Sequence, residues 1–253
     1  MLNTILHGAS GAHPPLIIAH GLYGSARNWG VIAKRLSDTR QVIAVDMRNH
    51  GQSPWSQSHS YADMADDLAE VIAAHGGRAD VVGHSMGGKA AMMLALHHPR
   101  AVQRLVVADI APVPYAHSQL PFIEAMRKVD LSRVERRSDA EAQLADLGVD
   151  KALQSFFTQS LDVAGKSWRL NLDALAENMP AIMSFPETDA AWDGPTLFLS
   201  GGASEYVTMA DRPGIKALFP QARFAKLPRA GHWLHADDPR GFEAAVRVFL
   251  TTD

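Results

Sequence analysis

Ser85 stands in the run Gly83-His84-Ser85-Met86-Gly87-Gly88, with Asp80-Val81-Val82 before it and Lys89-Ala90-Ala91-Met92-Met93-Leu94-Ala95-Leu96 after it. A serine hydroxyl is a weak nucleophile at neutral pH. It needs an adjacent imidazole base, itself held in one tautomer by a carboxylate. His232 lies in Ala230-Gly231-His232-Trp233-Leu234-His235, and two acids precede it. Asp109 ends Leu105-Val106-Val107-Ala108-Asp109, and Glu205 lies in Gly201-Gly202-Ala203-Ser204-Glu205-Tyr206. With either acid the chain order is Ser, acid, His, a set suited to acyl transfer through a covalent intermediate. Of the 12 His, His232 is the first to follow the last apolar run, with Gly231 before it to let its loop fold back over Ser85. Cys is absent, which excludes thiol nucleophiles, thiolate metal sites and disulfides. No two His have i, i+4 spacing with a Glu between them, so a zinc site is not expected.

The elements that must position these groups are readable. Apolar runs at 16–20, 41–46, 80–83, 104–109, 196–200 and 222–227 alternate with helical patterns at 27–36, 61–75 and 239–250. That alternation predicts a mostly parallel sheet covered on both faces. In such sheets ligands bind at the carboxyl ends of the strands, where Ser85, Asp109, Glu205 and His232 all fall. Gly-x-Ser-x-Gly between a strand and a helix is a nucleophile elbow, whose sharp turn leaves no room for a Cβ two residues either side of the Ser. The fold class expected is therefore α/β, an α/β-hydrolase fold. An oxyanion hole would come from the backbone N–H of Met86, after the nucleophile, and of Leu22, in the loop after the first of these strands.

Between 112 and 191 the alternation stops. Helical patterns occupy 120–129, 139–147, 151–161 and 171–183, with no convincing strand. A helical cap at 112–191, inserted into a core formed by 1–111 and 192–253, is the expected organisation. Tyr23, His84, Trp233 and Tyr206 are candidate pocket residues. Tyr115, Phe122, Phe156, Phe157, Trp168, Met179 and Phe185 are possible cap walls. His50 reads as a turn residue, and His59 as a surface one.

The chain has 253 residues, 47% hydrophobic and 20% charged, with a net charge of -3. These values fit one domain with an insertion and give no electrostatic reason to expect nucleic acid or an anionic membrane surface. The first residues carry neither a basic segment nor an apolar one, and no apolar run approaches the length of a membrane span. A cytoplasmic monomer or homodimer acting on a small molecule is expected.

Five motifs occur in the order found in the YbfF-type bacterial esterases, to which mammalian ABHD11 is related. They are His20-Gly21-Leu22-Tyr23-Gly24-Ser25, Asp46-Met47-Arg48-Asn49-His50-Gly51-Gln52-Ser53-Pro54, Gly83 to Lys89, Asp109-Ile110-Ala111-Pro112 and Gly231 to His235. The chain resembles that family over nearly its whole length, least at 113–190. The resemblance implies an α/β-hydrolase with a small helical cap, cleaving carboxylic or thioesters without cofactor or metal. Most α/β-hydrolases place the acid in a Gly-x-x-Asp loop, where this chain has Ser204. The family resembles the chain in carrying an Asp where Asp109 stands, so Asp109 is the expected acid and Glu205 the alternative. A serine carboxylesterase for short- to medium-chain acyl esters is the expectation, with an acyl-CoA thioesterase next. A cofactor-free haloperoxidase or C–C hydrolase and a non-enzymatic ligand binder are more distant. Epoxide hydrolases and haloalkane dehalogenases are argued against, since both need an Asp where Ser85 stands.

Overall fold

The computed structural model describes residues 1–251. Seven strands form one sheet in the order β1-β3-β2-β4-β5-β8-β9. They are β1 (Thr4–His7), β2 (Leu16–Ala19), β3 (Val42–Val45), β4 (Ala79–His84), β5 (Val102–Ala108), β8 (Thr196–Gly201) and β9 (Ala222–Leu227). All neighbours pair in parallel except β1, which runs antiparallel to β3 at the edge. β1 was not anticipated, because it is only partly buried and its four residues carry little apolar signal. The fully buried β2, β3 and β4 are the apolar runs the sequence displays.

Helices cover both faces, as burial on both sides of a parallel sheet demands. α1 (Gly30–Leu36) and α11 (Pro239–Thr251) pack on one side, sharing a core with Leu16, Ile18, Val82 and Val106. α2 (Tyr61–Ala74) and α3 (Met86–His97) lie on the other with Ile17, Val81 and Val107. Ser60 starts α2 by accepting from the Asp63 N–H through its hydroxyl, satisfying a donor the helix leaves open. The same core continues into the segment between β5 and β8.

That segment holds α4 (Leu120–Lys128), α5 (Arg137–Asp146), α6 (Lys151–Thr158), α7 (Leu172–Glu177) and α8 (Met179–Met183). Two expectations are corrected here. A hairpin of β6 (Leu161–Asp162) and β7 (Ser167–Trp168) is present, with strands too short to show any alternation. The helix expected over 171–183 is two helices broken at Asn178. Pro180 falls in the first turn of the second, where its missing N–H costs nothing. The segment docks on the Asp46–Pro54 loop through backbone hydrogen bonds: Gly51 N–H donates to the Arg169 carbonyl (2.8 Å) and Asn171 N–H to the Asn49 carbonyl (2.9 Å). α9 (Arg212–Leu218) and α10 (Leu234–Asp237) complete the chain.

At the opposite end of the sheet from Ser85, Arg40 pairs with Asp80 at the start of β4, with both side chains buried. Removing one partner of such a pair strands a charge in the interior, at a cost of about 3–5 kcal/mol. Arg40→Met should therefore lower the urea midpoint sharply while the surviving folded protein keeps its activity. A midpoint near that of the wild type would mean that the pair contributes little.

Candidate active site

Strand β4 ends at His84, and the chain turns into α3 at Ser85 with φ +53° and ψ -120°, backbone that non-glycine residues rarely adopt. The turn presses strand and helix together. A Cβ on Gly83 would come within 2.7 Å of the Gly87 carbonyl carbon and the Gly88 Cα, and one on Gly87 within 2.7 Å of the Ala19 carbonyl carbon. Both positions need glycine for space. The Ser85 N–H donates to the Ala108 carbonyl (3.1 Å), which ties the elbow to the end of β5.

Immediately past that end, Asp109 is fully buried and also has positive φ, +51°. Its carboxylate accepts three hydrogen bonds: from Gly201 N–H (2.9 Å), from the Ser204 hydroxyl, and from His232 Nδ1–H (2.8 Å). Ser204 was not singled out as a site residue, since a loop hydroxyl has no sequence signature. Glu205, the other candidate acid, is exposed. The bond to Asp109 assigns the Nδ1–H tautomer to His232 and leaves its Nε2 as an acceptor. The ring stacks on Tyr206 at 4.1 Å. His84 donates from Nε2 to the His232 carbonyl (2.8 Å), pinning the loop backbone that carries the imidazole.

Ser85 and His232 share a cavity of about 290 Å³. Leu22, Tyr23, His84, Met86, Trp233 and Tyr206 line it as well, so every candidate pocket and oxyanion residue falls in one place. Asp109 lies behind His232. Of the aromatic residues considered as walls, Tyr115, Phe122, Phe156 and Phe157 line the cavity, whereas Trp168 is buried with its indole N–H on the Met126 carbonyl (3.0 Å). Phe185 packs near Tyr61 instead. Met86 opens α3, so its N–H has no partner within the helix. The Leu22 N–H has no hydrogen-bond partner among the described residues.

The loop carrying Leu22 is held by a chain of neutral imidazoles; His50 does lie in a turn, and the sequence reading of His59 as a surface residue is corrected. Both are fully buried. His20 donates from Nδ1 to the Gly21 carbonyl (2.8 Å) and accepts the Met47 N–H at Nε2 (2.9 Å). His50 donates from Nδ1 to the Arg48 carbonyl (2.9 Å) and accepts the Tyr23 N–H at Nε2 (3.1 Å). His59 accepts from Asn49 (3.1 Å) and points its other nitrogen at the Met86 sulfur (3.3 Å). The Asp46–Pro54 motif is thus a brace for the Leu22 loop, and Asp46 adds bonds to the Ala26 N–H (2.8 Å) and the Gln52 N–H (3.0 Å). Nothing in the residue types alone marked His59 as buried, because its partners are distant in sequence. Burial lowers the pKa of His20, of His50 and His84 strongly, of His59 to about 3 and of His235 to about 4.

Lys89 is the one buried ammonium lining the cavity among the described residues. It donates to the carbonyls of Val113 (3.0 Å), Met183 (3.2 Å) and Ser184, and lies 4.8 Å from the Tyr115 ring centre. Burial pushes it down to about 7, while the carbonyls and the ring give its charged form partners. Lys89 therefore clasps both roots of the 113–184 segment.

Sheet, elbow and cavity define the class. The chain belongs to the alpha/beta hydrolase fold family, whose profile matches residues 14–239. It is 43% identical over 249 residues to the sn-1-specific diacylglycerol lipase ABHD11 of Mus musculus, covering 94% of this chain and 81% of that protein. It is 38% identical over 240 residues to esterase YbfF of Escherichia coli K12, covering 93% and 92%. The structure of a marine microorganism esterase superposes with a TM-score of 0.92 at 39% identity, covering 98% of both chains. The protein is a hydrolase of the esterase and lipase type, acting on esters. No helix among the described residues is long and apolar enough to cross a membrane.

Proposed function

We propose that the protein is a serine carboxylesterase in which Ser85 is the nucleophile, His232 the general base and acid, and Asp109 the residue that orients His232. The observation that carries this is His232 itself: its Nδ1 is bound to a fully buried carboxylate, and its ring opens on the cavity that holds Ser85. Ser85 attacks the ester carbonyl as His232 Nε2 takes the hydroxyl proton. The developing oxyanion is met by the free N–H groups of Leu22 and Met86, donors that need no reorganisation during the step. His232 returns the proton to the departing alcohol, and water then attacks the acyl-enzyme by the same route. Asp109 orients the ring and stabilises the imidazolium as it forms.

A cavity near 290 Å³ is at the small end of ligand sites, which run from ~300 to ~1,000 Å³. Its walls, Leu22, Phe122, Leu153, Phe156, Phe157 and Ile182, are apolar. Short- to medium-chain acyl groups fit both features. The 112–191 segment acts as a cap, supplying most of those walls and shielding the intermediate from water.

A p-nitrophenyl ester series from acetate to palmitate tests this. Turnover should be greatest at the short and medium members, with a pre-steady-state burst of one nitrophenol per chain. Quenched enzyme should carry the acyl mass on the peptide containing Ser85. Folded protein with no turnover on any ester in the series, or an acyl mass on another residue, would refute the proposal.

A further inference from the structure

A second cavity of about 260 Å³ lies on the outside of the 113–184 segment, between its two roots. Pro114, Leu120, Met179 and Pro180 give it apolar walls. Two residues, Tyr115 and Met183, line both this groove and the cavity that holds Ser85. The two spaces are thus parted by a wall one side chain thick.

The two halves of that wall differ in freedom. Tyr115 is tethered at its hydroxyl, which accepts the Ala111 N–H (2.9 Å) and donates to the Tyr206 carbonyl (2.6 Å). The Met183 side chain packs against the core without a hydrogen bond, and the residue is tied only through its backbone, whose carbonyl accepts from Lys89 and from the Tyr115 N–H (2.9 Å). Its side chain is unbranched, has three rotatable bonds and carries no strong hydrogen-bonding group. Met183 can swing while its Cα stays in place.

We infer that Met183 is the movable stop that sets acyl-chain length in this enzyme, and that a longer chain displaces it and lays its tail in the groove between Leu120 and Pro180. This rests on the proposed ester hydrolysis at Ser85. With the stop in place the inner cavity suits short acyl groups. With it displaced, the joined space falls well inside the usual range for ligand sites. The groove takes a hydrocarbon tail in preference to a polar one because Pro114, Leu120, Met179, Pro180 and Met183 make up most of its lining, with His117, Ser118 and Ser184 as the polar remainder.

The experiment measures kcat/KM across p-nitrophenyl acetate, butyrate, octanoate, decanoate and palmitate, for wild type, Met183→Ala, Met183→Phe and Met183→Ala/Leu120→Trp. One methylene in an apolar site changes the rate by roughly 10-fold or more, so moving the stop should be conspicuous. In Met183→Ala the decanoate-to-butyrate ratio should rise at least ~10-fold, by the same reasoning. Met183→Phe should move the optimum to shorter chains. Leu120→Trp fills the groove from the far side and should cancel the gain made by Met183→Ala. A length profile unchanged in both single variants would overturn the inference, as would a long-chain gain that survives Leu120→Trp. Acetate turnover that persists in these variants and vanishes in Ser85→Ala would leave the esterase reading intact in that case. No acetate turnover in the wild type would mean that the esterase reading itself had failed.

Discussion

Ser85→Ala should reduce ester turnover to background, a loss on the order of 10⁶ in kcat by comparison with serine proteases stripped of their nucleophile. Removing the hydroxyl leaves the cavity, the oxyanion donors and the fold in place, so substrate should still bind. The acid is separated by the paired variants Asp109→Asn and Glu205→Gln. Asparagine at 109 keeps the shape but offers an amide where His232 Nδ1–H needs an acceptor. The imidazole then takes the wrong tautomer, at a cost of ~10⁴ in kcat. Glu205 is exposed and stands outside the hydrogen bonds that hold His232, so its variant should remain within about twofold of wild type. The measurement is kcat on p-nitrophenyl butyrate, with circular dichroism to establish folding. A large loss in Glu205→Gln beside a small one in Asp109→Asn would transfer the acid's role to Glu205.

Stability should collapse between pH 6.5 and pH 5. His59 is held near 3 and His235 near 4, both by burial, whereas an unfolded imidazole titrates near 6.5. Below 6.5 the unfolded chain therefore binds protons that the folded chain refuses, and stability falls with pH. At pH 5 each of these two costs about 2 kcal/mol, from 1.36 kcal/mol per pK unit. His20, His50 and His84 are shifted in the same direction by the same cause. Folded domains are stable by only ~5–15 kcal/mol, so the loss is a large share of the total. Urea midpoints at pH 7.5, 6.5, 5.5 and 5.0 measure it, and unchanged midpoints across that range would contradict it. His235→Phe offers an internal check. The ring stacks on Trp29 at 4.0 Å and its Nδ1 is buried without a partner, so phenylalanine keeps the stacking and removes one titrating group. The slope of stability against pH should drop by one proton's worth.

The residues alone determined a good deal. Strands buried on both faces must be apolar throughout, so β2 to β5 and β8 were legible, and with them the parallel sheet; β9, at the edge, was legible although only partly buried. The elbow was legible because its sterics allow only glycine at 83 and 87. Because ligands sit at strand carboxyl ends, Ser85, Asp109 and His232 could be gathered at one end before any distance was known. Edge strand β1 and the β6–β7 hairpin were not legible, being short and half exposed. Only the tertiary structure showed which of two acids satisfying the same chain order is bonded to His232. It did so because a carboxylate's partners come from segments about a hundred residues apart: Gly201, Ser204 and His232 all converge on Asp109. The same holds for His50, His59, Lys89 and Met183. What each does depends on what the fold packs against it, and local sequence carries no record of neighbours brought in from across the chain.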